Sequence, residues 1–381
     1  MPENTKKLPT NHPAHPGILL RQLLEEKGWT QDELADITGK RRATITDILS
    51  GKSGISAEMA ITLSAAFGNT PKDWLDIDTR YRLFVSETDP IEVETRARFH
   101  DLAPIRDMQK RGWIKHSSNL VELETGLKTF FGIESLEQSI DFPVAARRTK
   151  NLPKMNIAER AWIFRARQLA SALSADSFSE SRLPACEKKL RELAAYPTEA
   201  RYLPRTLAEY GIRFLIIEPL PSARIDGAAF WIETEPVIAL SLRFDRIDGF
   251  WFTLMHEFMH IRNQDALSVD TDLIDGVRGL TITLADDDAE KRANEQAAAS
   301  LVSPEEMESF IRRVGPLYSK ERVIQFAHRI KIHPGIVVGQ LQYRKEIGYS
   351  ALRNLLVKIR DVVTGSALTD GWNKTLTPDL I

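Results

Sequence analysis

The stretch FWFTLMHEFMHIRN, residues 250–263, carries the side chains best suited to do chemistry. His256 and His260 are four residues apart, and Glu257 directly follows the first of them. On an α-helix, residues i and i+4 lie on one face, so both imidazoles can point at one zinc ion. Glu257 lies about a hundred degrees around the helix, where it can reach a metal-bound water. The pattern H-E-x-x-H therefore indicates a metallohydrolase site.

The alternative is that both histidines are ordinary core residues. The surrounding helix is apolar almost all round, so its polar residues are confined to the motif and to the helix end. Burying two imidazoles and a carboxylate without partners would cost on the order of several kcal/mol, and a metal ion would satisfy all three groups. Cys186 is the one cysteine of the chain, so a protein-bound metal must rely on His, Asp and Glu.

A catalytic zinc site also needs a third protein ligand and one open position. The acidic segment downstream supplies the candidates, which are Asp286, Asp287, Asp288, Glu290 and Glu295. The three aspartates are typical of a helix cap and first turn. Glu290 lies inside the predicted helix, and Asn294 lies one turn further on the same face, where its amide could hydrogen-bond a ligating histidine. We expect Glu290 to be the third ligand, with Glu295 or Asp288 as the alternatives.

The run from WFTLMHEFMHI through EKRANEQAAASLVSPEEM resembles the ImmA/IrrE family of zinc metallopeptidases. That family shows H-E-x-x-H on a helix, then E-x-x-A-[ND]-x-x-A and an L-[LI]-x-P ending. The first motif is matched by His256, Glu257 and His260, and the second by Glu290, Ala293, Asn294 and Ala297. Gln296 stands where the family usually has an aromatic residue, and LVSP differs from the usual ending by one residue.

The resemblance covers roughly residues 200–345 and implies a zincin-like domain with a small β-sheet. It implies a Zn²⁺ ion held by His256, His260 and Glu290. Glu257 would then be the general base, taking the proton of the metal-bound water during amide hydrolysis.

The oxyanion that forms in such a reaction needs a donor beyond the metal. His333, Tyr343 and Arg344 are candidates from their sequence position alone. A histidine before a proline, as in KIHPG, is also typical of a turn or packing residue, and this alternative stays open. A pocket of this fold that senses a metal or ligand without cutting peptides is a further alternative.

The segment TQDELADITGKRRATITDILSGK, near the N-terminus, has the spacing of a helix-turn-helix. Ala35 is small where two helices approach, Gly39 opens the turn, and Ile45 and Ile48 face the core. The candidate DNA-contacting residues are Gln31, Lys40, Arg41, Arg42, Thr44 and Thr46. Arginine can read guanine, threonine can contact phosphate or a thymine methyl, and the glutamine and lysine are placed for phosphate contacts. The alternative is a generic helical bundle with solvated arginines.

The wider segment from HPGILLRQ to PKDWL is similar to the Xre-type helix-turn-helix of HigA-like antitoxins. The HPG start, the TQ-ELA segment, the run SGKSGISAEMA and the closing WL carry the likeness. Lys40 departs from the apolar residue usual at its position. The resemblance implies a lambda-repressor-like domain of five helices that binds a double-stranded DNA operator as a homodimer.

Other elements must position these residues. Helical periods broken by glycines predict five helices in the first domain, and VSETDPIEVET is polar and acidic enough to be a linker. The runs GIRFLIIEPL, AAFWIE and PVIALSLR predict strands, with Asp226-Gly227 as a turn. The fold class is therefore mainly α with an α+β C-terminal domain. The predicted divisions are a DNA-binding domain over 11–84, a helical middle region over 96–200, a metallopeptidase domain over 201–350 and a C-terminal extension over 351–381.

Composition sets wider bounds. The chain of 381 residues has 43% hydrophobic residues and a net charge of -2, so it has no global bias towards nucleic acid or membrane. No segment approaches the roughly 18 consecutive apolar residues of a membrane span, and the first residues lack a secretory signal. One cysteine excludes an intramolecular disulfide. We expect a soluble, cytoplasmic protein with no membrane partner.

Two functions fit the sequence. The first is a DNA-binding transcriptional regulator whose zinc metallopeptidase domain cuts a protein partner such as a repressor. The second is a non-catalytic, HigA-like antitoxin or repressor whose C-terminal domain senses a signal or binds a toxin. An intact general base at Glu257 favours the first.

Overall fold

A computed structural model describes residues 13–86, 90–136, 155–264, 268–271 and 287–370 of the protein. The chain divides into two compact units, residues 1–91 and 92–381. Within the described residues, no helix is both long and apolar enough to cross a membrane.

The first unit contains five helices. The helices are α1 (Pro16–Lys27), α2 (Gln31–Thr38), α3 (Arg42–Leu49), α4 (Ala57–Phe67) and α5 (Pro71–Val85). Their bounds follow from local capping. Thr30 and Thr70 each form a capping box at a helix start, and the left-handed Gly28, Gly39 and Gly68 end the helices before them.

The core of this unit forms where the apolar faces of the five helices meet. Leu20, Leu34, Ile45, Leu63 and Trp74 are fully buried there. The indole N–H of Trp74 donates to the side-chain oxygen of Asn69 at 2.9 Å, so the one polar atom of this large ring is satisfied.

The second unit combines helices with one mixed sheet. Its helices are α6 (Pro90–Leu102), α7 (Ile105–Lys110), α8 (Leu120–Phe131), α9 (Ile157–Ala170), α10 (Leu183–Leu193), α11 (Leu203–Glu209), α12 (Ile247–Asn263), α13 (Asp287–Leu301), α14 (Pro304–Val314), α15 (Lys320–Arg329), α16 (Pro334–Tyr343) and α17 (Arg360–Thr364). Its strands are β1 (Arg213–Ile216), β2 (Ile225–Ile232), β3 (Glu235–Leu240), β4 (Ser268–Thr271) and β5 (Leu368–Thr369).

The strand order in the sheet is β4-β2-β3-β1-β5. β2 and β3 form an antiparallel hairpin, β4 pairs antiparallel with β2, and β1 runs parallel to both β3 and β5. Helices cover both faces of this sheet. Ile238 and Leu240 belong to the core shared with α12, α13 and α16, whereas Val237 and Ala239 belong to the core shared with α8 and α9. β1, β2 and β3 are buried on both sides, which explains their largely apolar sequences.

Four sequence-based expectations differ from this fold. The predicted linker over 85–95 contains the start of α6, because Pro90 occupies a first helical position, where its missing N–H costs nothing. The middle region over 96–200 does not stand apart, since Trp162 on α9 packs against the sheet and donates to the Ile217 carbonyl at 2.9 Å. The extension over 351–381 supplies β5 to that sheet.

The fourth difference concerns the predicted turn at Asp226-Gly227. Both residues lie inside β2, and the hairpin turn instead follows Ile232, where Glu233 has a φ of 56°. Asp226 is buried and accepts from Arg243 at 2.9 Å. The long-range ion pair holds an aspartate in a strand, where local propensity disfavours it.

Candidate metal centre and helix-turn-helix surface

The helix α12 brings the motif residues into the middle of the second unit. Its apolar side chains pack against the sheet on one side and against α13 and α16 on the other, so nearly the whole helix is buried. His256, Glu257 and His260 are all fully buried. The helix ends at Gln264, whose left-handed conformation lets its backbone N–H bond back into the last turn.

Glu290 on α13 meets the two histidines. The Nε2 atoms of His256 and His260 are 2.9 Å apart. The Glu290 carboxylate places Oε2 3.2 Å from the first of these atoms and Oε1 3.4 Å from the second. Among the residues that the structure describes, these three side chains form a group able to hold a metal ion. The structure therefore brings together the three predicted ligands.

Asn294 orients one of these rings. Its side-chain oxygen lies 3.0 Å from His256 Nδ1, one helical turn beyond Glu290 on α13. An amide oxygen accepts, so Nδ1 carries the hydrogen and Nε2 keeps its lone pair. Such a hydrogen bond to a motif histidine is the contact that the sequence suggests for Asn294.

Burial and neighbouring groups determine the protonation states of His256 and Glu290. Burial lowers the pKa of His256, which favours the neutral ring. Burial raises the pKa of the Glu290 carboxyl, but the neighbouring rings of His256 and His260 lower it, to about 2. A lone pair on His256 Nε2 thus faces an ionised carboxylate at 3.2 Å. Two acceptors repel each other unless a proton or a cation lies between them.

A zinc ion fits this donor set. Nitrogen and carboxylate ligands bind zinc at about 2.0–2.1 Å, so neighbouring ligands of a tetrahedral site are about 3.3 Å apart. The measured separations of 2.9, 3.2 and 3.4 Å bracket that value. Two imidazoles and one carboxylate leave a fourth position for a reactant.

Glu257 is held beside this centre, against the sheet. An added Cβ on Gly227 in β2 would lie 2.8 Å from Glu257 Oε1. Burial raises the pKa of Glu257 well above its ordinary value, and the charges of His260 and Glu290 also act on it. Neither carboxylate oxygen has a hydrogen-bond partner among the described residues. The backbone amide of Ala229 acts to lower this pKa, but its effect is smaller than that of burial.

The other sequence candidates lie elsewhere or at the margin. Asp286 lies outside the described residues, Asp287 begins α13, and Asp288 and Glu295 are exposed. The Glu290 carboxylate alone among the downstream acids lies within 3.4 Å of both imidazoles in the described part of the chain.

Of the three oxyanion candidates, His333 has a structural role. Its Nδ1 accepts from the Gly335 backbone at 3.0 Å and caps α16, which agrees with the alternative noted for a histidine before proline. Tyr343 and Arg344 line a cleft of about 700 Å³ together with Glu290 and Asn294. Phe252 also lines this cleft, and sequence reasoning missed it because one aromatic residue in an apolar helix carries no distinguishing pattern.

The helix-turn-helix of the first unit follows the predicted pattern. Ala35, Ile45 and Ile48 are buried, and Gly39 is left-handed with a φ of 65°. Arg41 precedes α3, whose start is exposed at Arg42.

Several DNA-contact candidates are paired within the unit. Thr46 donates to the Gln31 side chain at 3.0 Å, which ties the start of α2 to α3. Arg42 lies 3.2 Å from Asp32, and both side chains are 65% exposed, so this pair is easily exchanged for another partner. The Lys40 ammonium pairs with Glu58, and the Lys40 side chain as a whole is 26% exposed. Thr44 is half-buried.

Comparisons with known proteins address this first unit. A family model described as Helix-turn-helix matches residues 20–75. The HTH-type transcriptional regulator YddM of Escherichia coli is 32% identical over 77 residues, which are 20% of this chain and 81% of that protein. The chain belongs to the helix-turn-helix family.

Two other relatives are similar to this chain over a comparable length. Antitoxin HigA-1 of Vibrio cholerae is 38% identical over 78 residues, covering 18% of this chain and 73% of the antitoxin. Virulence-associated protein A' of Dichelobacter nodosus is 41% identical over 73 residues, and the chain spans only 64% of that relative.

Two solved structures are also similar over this extent. Antitoxin GraA has 37% identity and a TM-score of 0.19, covering 19% of this chain and 78% of that chain. PA4674 from Pseudomonas aeruginosa, solved in complex with its operator DNA, has 30% identity and a TM-score of 0.21, covering 22% of this chain and 94% of that chain.

Proposed function

We propose that this protein is a DNA-binding transcriptional regulator whose second unit is a zinc-dependent metallopeptidase. The observation that carries the enzymatic part is the convergence of His256 Nε2, His260 Nε2 and the Glu290 carboxylate within 3.4 Å of one another. The helix-turn-helix of the first unit supports the DNA-binding part.

His256, His260 and Glu290 would hold the zinc ion, and Asn294 would fix the ring of His256. When bound, the ion would supply Lewis acidity, which lowers the pKa of a water molecule. That water can then be deprotonated near neutral pH and attack an amide. Glu257 would accept the proton of that water at a carboxylate oxygen and pass it to the leaving amine. Its burial strengthens it as a base, because burial destabilises the ionised carboxylate.

Tyr343 and Arg344 line the cleft that reaches Glu290, so they are placed to meet a bound peptide. Either could donate to the developing oxyanion, whereas His333 is occupied as a helix cap. The cleft volume of about 700 Å³ is suited to several residues of an extended chain.

In the first unit, the start of α3 would enter the major groove of a double-stranded operator. Arg41 and Arg42 would contact bases or phosphates, and the Gln31–Thr46 pair would hold α2 and α3 in register on the backbone. As helix-turn-helix proteins of this kind bind palindromic sites, we propose a homodimer.

A HigA-like antitoxin or repressor is the second candidate, because the likeness to antitoxin HigA-1 reaches 38% identity. In that case the second unit would sense a signal or bind a toxin. The two candidates share the DNA-binding part and differ in whether Glu257 takes part in hydrolysis.

The deciding experiment compares wild-type protein with Glu257→Gln and Glu290→Gln. Wild-type protein should carry about one zinc ion per chain and cleave members of a pool of internally quenched peptides. Glu257→Gln should keep the zinc and lose cleavage, whereas Glu290→Gln should lose both. Cleavage retained by Glu257→Gln would remove it as the base. Zinc bound equally well by Glu290→Gln would remove the proposed centre.

A further inference from the structure

The geometry points to a specificity pocket beside the candidate metal centre that accepts one large, uncharged apolar side chain next to the scissile bond. This inference rests on the proposed function and deepens it by naming the class of peptide that the site would take.

The pocket opens one helical turn from the proposed ligands. Phe252 precedes His256 by one turn on α12, and their ring centres are 6.3 Å apart. Ala298 follows Asn294 by one turn on α13. Both residues line the cleft that contains Glu290 and also a separate cavity of about 90 Å³. Successive residues of an extended peptide are about 3.3–3.6 Å apart, so the 6.3 Å between the Phe252 and His256 rings corresponds to about two residues of a bound chain.

The size and walls of the cavity select the side chain. One water needs about 10–15 Å³ by the same measure, so about 90 Å³ has room for roughly six to nine heavy atoms, enough for the side chain of Leu, Met or Phe. Leu301 and Ile336 form apolar walls, and the exposed rings of Tyr343 and Tyr349 stand at the rim. Such walls stabilise an apolar side chain by removing its surface from water.

The polar end of the cavity does not call for a charged ligand. Arg246 donates to both carboxylate oxygens of Asp248, at 3.1 and 2.6 Å, and to Gln342 at 3.2 Å. The Gln342 amide donates in turn to the Ala351 carbonyl at 3.1 Å. These groups satisfy one another, so a charged side chain entering the cavity would lose its hydration and gain no free partner.

The test measures binding by zinc-loaded, full-length protein, so it does not depend on finding a substrate. The probes are four hydroxamic acids that share one metal-binding group, namely those of acetic, 4-methylpentanoic and 3-phenylpropanoic acid and the monohydroxamate of glutaric acid. Calorimetry gives the Kd of each. We expect the two large apolar probes to bind at least about tenfold more tightly than acetohydroxamate, and the glutarate probe to show no gain.

Substitutions test whether the preference for large apolar probes depends on this cavity. Ala298→Phe should fill the cavity and bring the affinity ratio of the large probes to acetohydroxamate close to one, with acetohydroxamate itself still bound. Arg292→Phe places the same ring on an exposed position of α13 and should keep the wild-type ratio. Tyr349→Ala, at an exposed rim position that does not line the cleft containing Glu290, should lower the ratio without affecting folding.

The outcomes separate the two proposals. Equal affinity for all four probes, or a preference that survives Ala298→Phe, would overturn the pocket while leaving the metal centre in place. No hydroxamate binding by zinc-treated protein would overturn the metal centre itself, and the pocket inference with it.

Discussion

The amide oxygen of Asn294 lies 3.0 Å from Nδ1 of His256, on the opposite side of the ring from Glu290. This contact fixes which nitrogen of His256 carries the hydrogen, and it leaves Nε2 facing His260 and the carboxylate. Under the proposed function, Asn294 would thereby orient one of the zinc ligands.

We expect Asn294→Ala to weaken zinc affinity by about 10- to 100-fold, because the ring of His256 loses its orienting partner. Competition with a chromogenic chelator measures this affinity. Asn294→Asp should restore most of it, since a carboxylate oxygen also accepts from Nδ1. Glu295→Ala, the next residue on α13 and exposed, is the control and should bind zinc like the wild type. Unchanged affinity in Asn294→Ala would mean that the contact does not orient the ring.

Gly227 has no side chain, which leaves room for the Glu257 carboxylate against the sheet. In Gly227→Ala the added Cβ would lie 2.8 Å from Glu257 Oε1 and 2.9 Å from side-chain atoms of Leu240 and Thr253. We expect a loss of about 1–3 kcal/mol in the free energy of unfolding from this overpacking. Urea denaturation measures it. Gly348→Ala is the matched control, because nothing lies within 4 Å of its added Cβ. Equal stability of the two variants would contradict this account.

Local signals in the sequence predicted the capped helices of the first unit and the helices α12 and α13, but they missed the start of α6 at Pro90. Thr30 and Thr70 with their N3 carboxylates mark helix starts, and such capping depends on residues three positions apart. Helical periodicity likewise put Glu290 and Asn294 on one face of α13. The meeting of α12 and α13 did not follow from periodicity. It was inferred from the chemistry that His256 and His260 need.

Contacts between residues far apart in the chain could not be predicted from the sequence in the same way. β5 joins β1 from a position more than 150 residues further along the chain, and a two-residue strand has no periodicity to detect. Asp226-Gly227 resembles a turn, yet Arg243 pairs with the aspartate and Glu257 needs the space beside the glycine. In both cases a distant residue overrides the local preference.

Cys186 is buried in α10, and burial raises the pKa of its thiol to about 12. We expect no alkylation of native protein by iodoacetamide at pH 8, and full alkylation in 6 M guanidinium as the control, because the thiolate is the reactive form. Because the pKa is raised, the neutral thiol stabilises the folded state fully at pH values below its ordinary pKa of 9. This contribution to the free energy of unfolding declines as the pH rises towards 12. Rapid alkylation of the native protein would show that the thiol is accessible.

The start of α3 should carry the affinity of the first unit for DNA. After selection of a preferred duplex from a random library, we expect Arg41→Ala combined with Arg42→Ala to weaken binding at least tenfold, because each arginine contributes a base or phosphate contact. A phosphate role would also lower the slope of log affinity against log salt by about one per residue. Lys40→Ala should have a smaller effect, since Lys40 is paired with Glu58 and largely buried. Lys72→Ala on α5, an exposed lysine paired with Asp76, is the control for lost positive charge. Binding by the double arginine variant as tight as that of the control, across the salt titration, would move the DNA-binding surface away from α3.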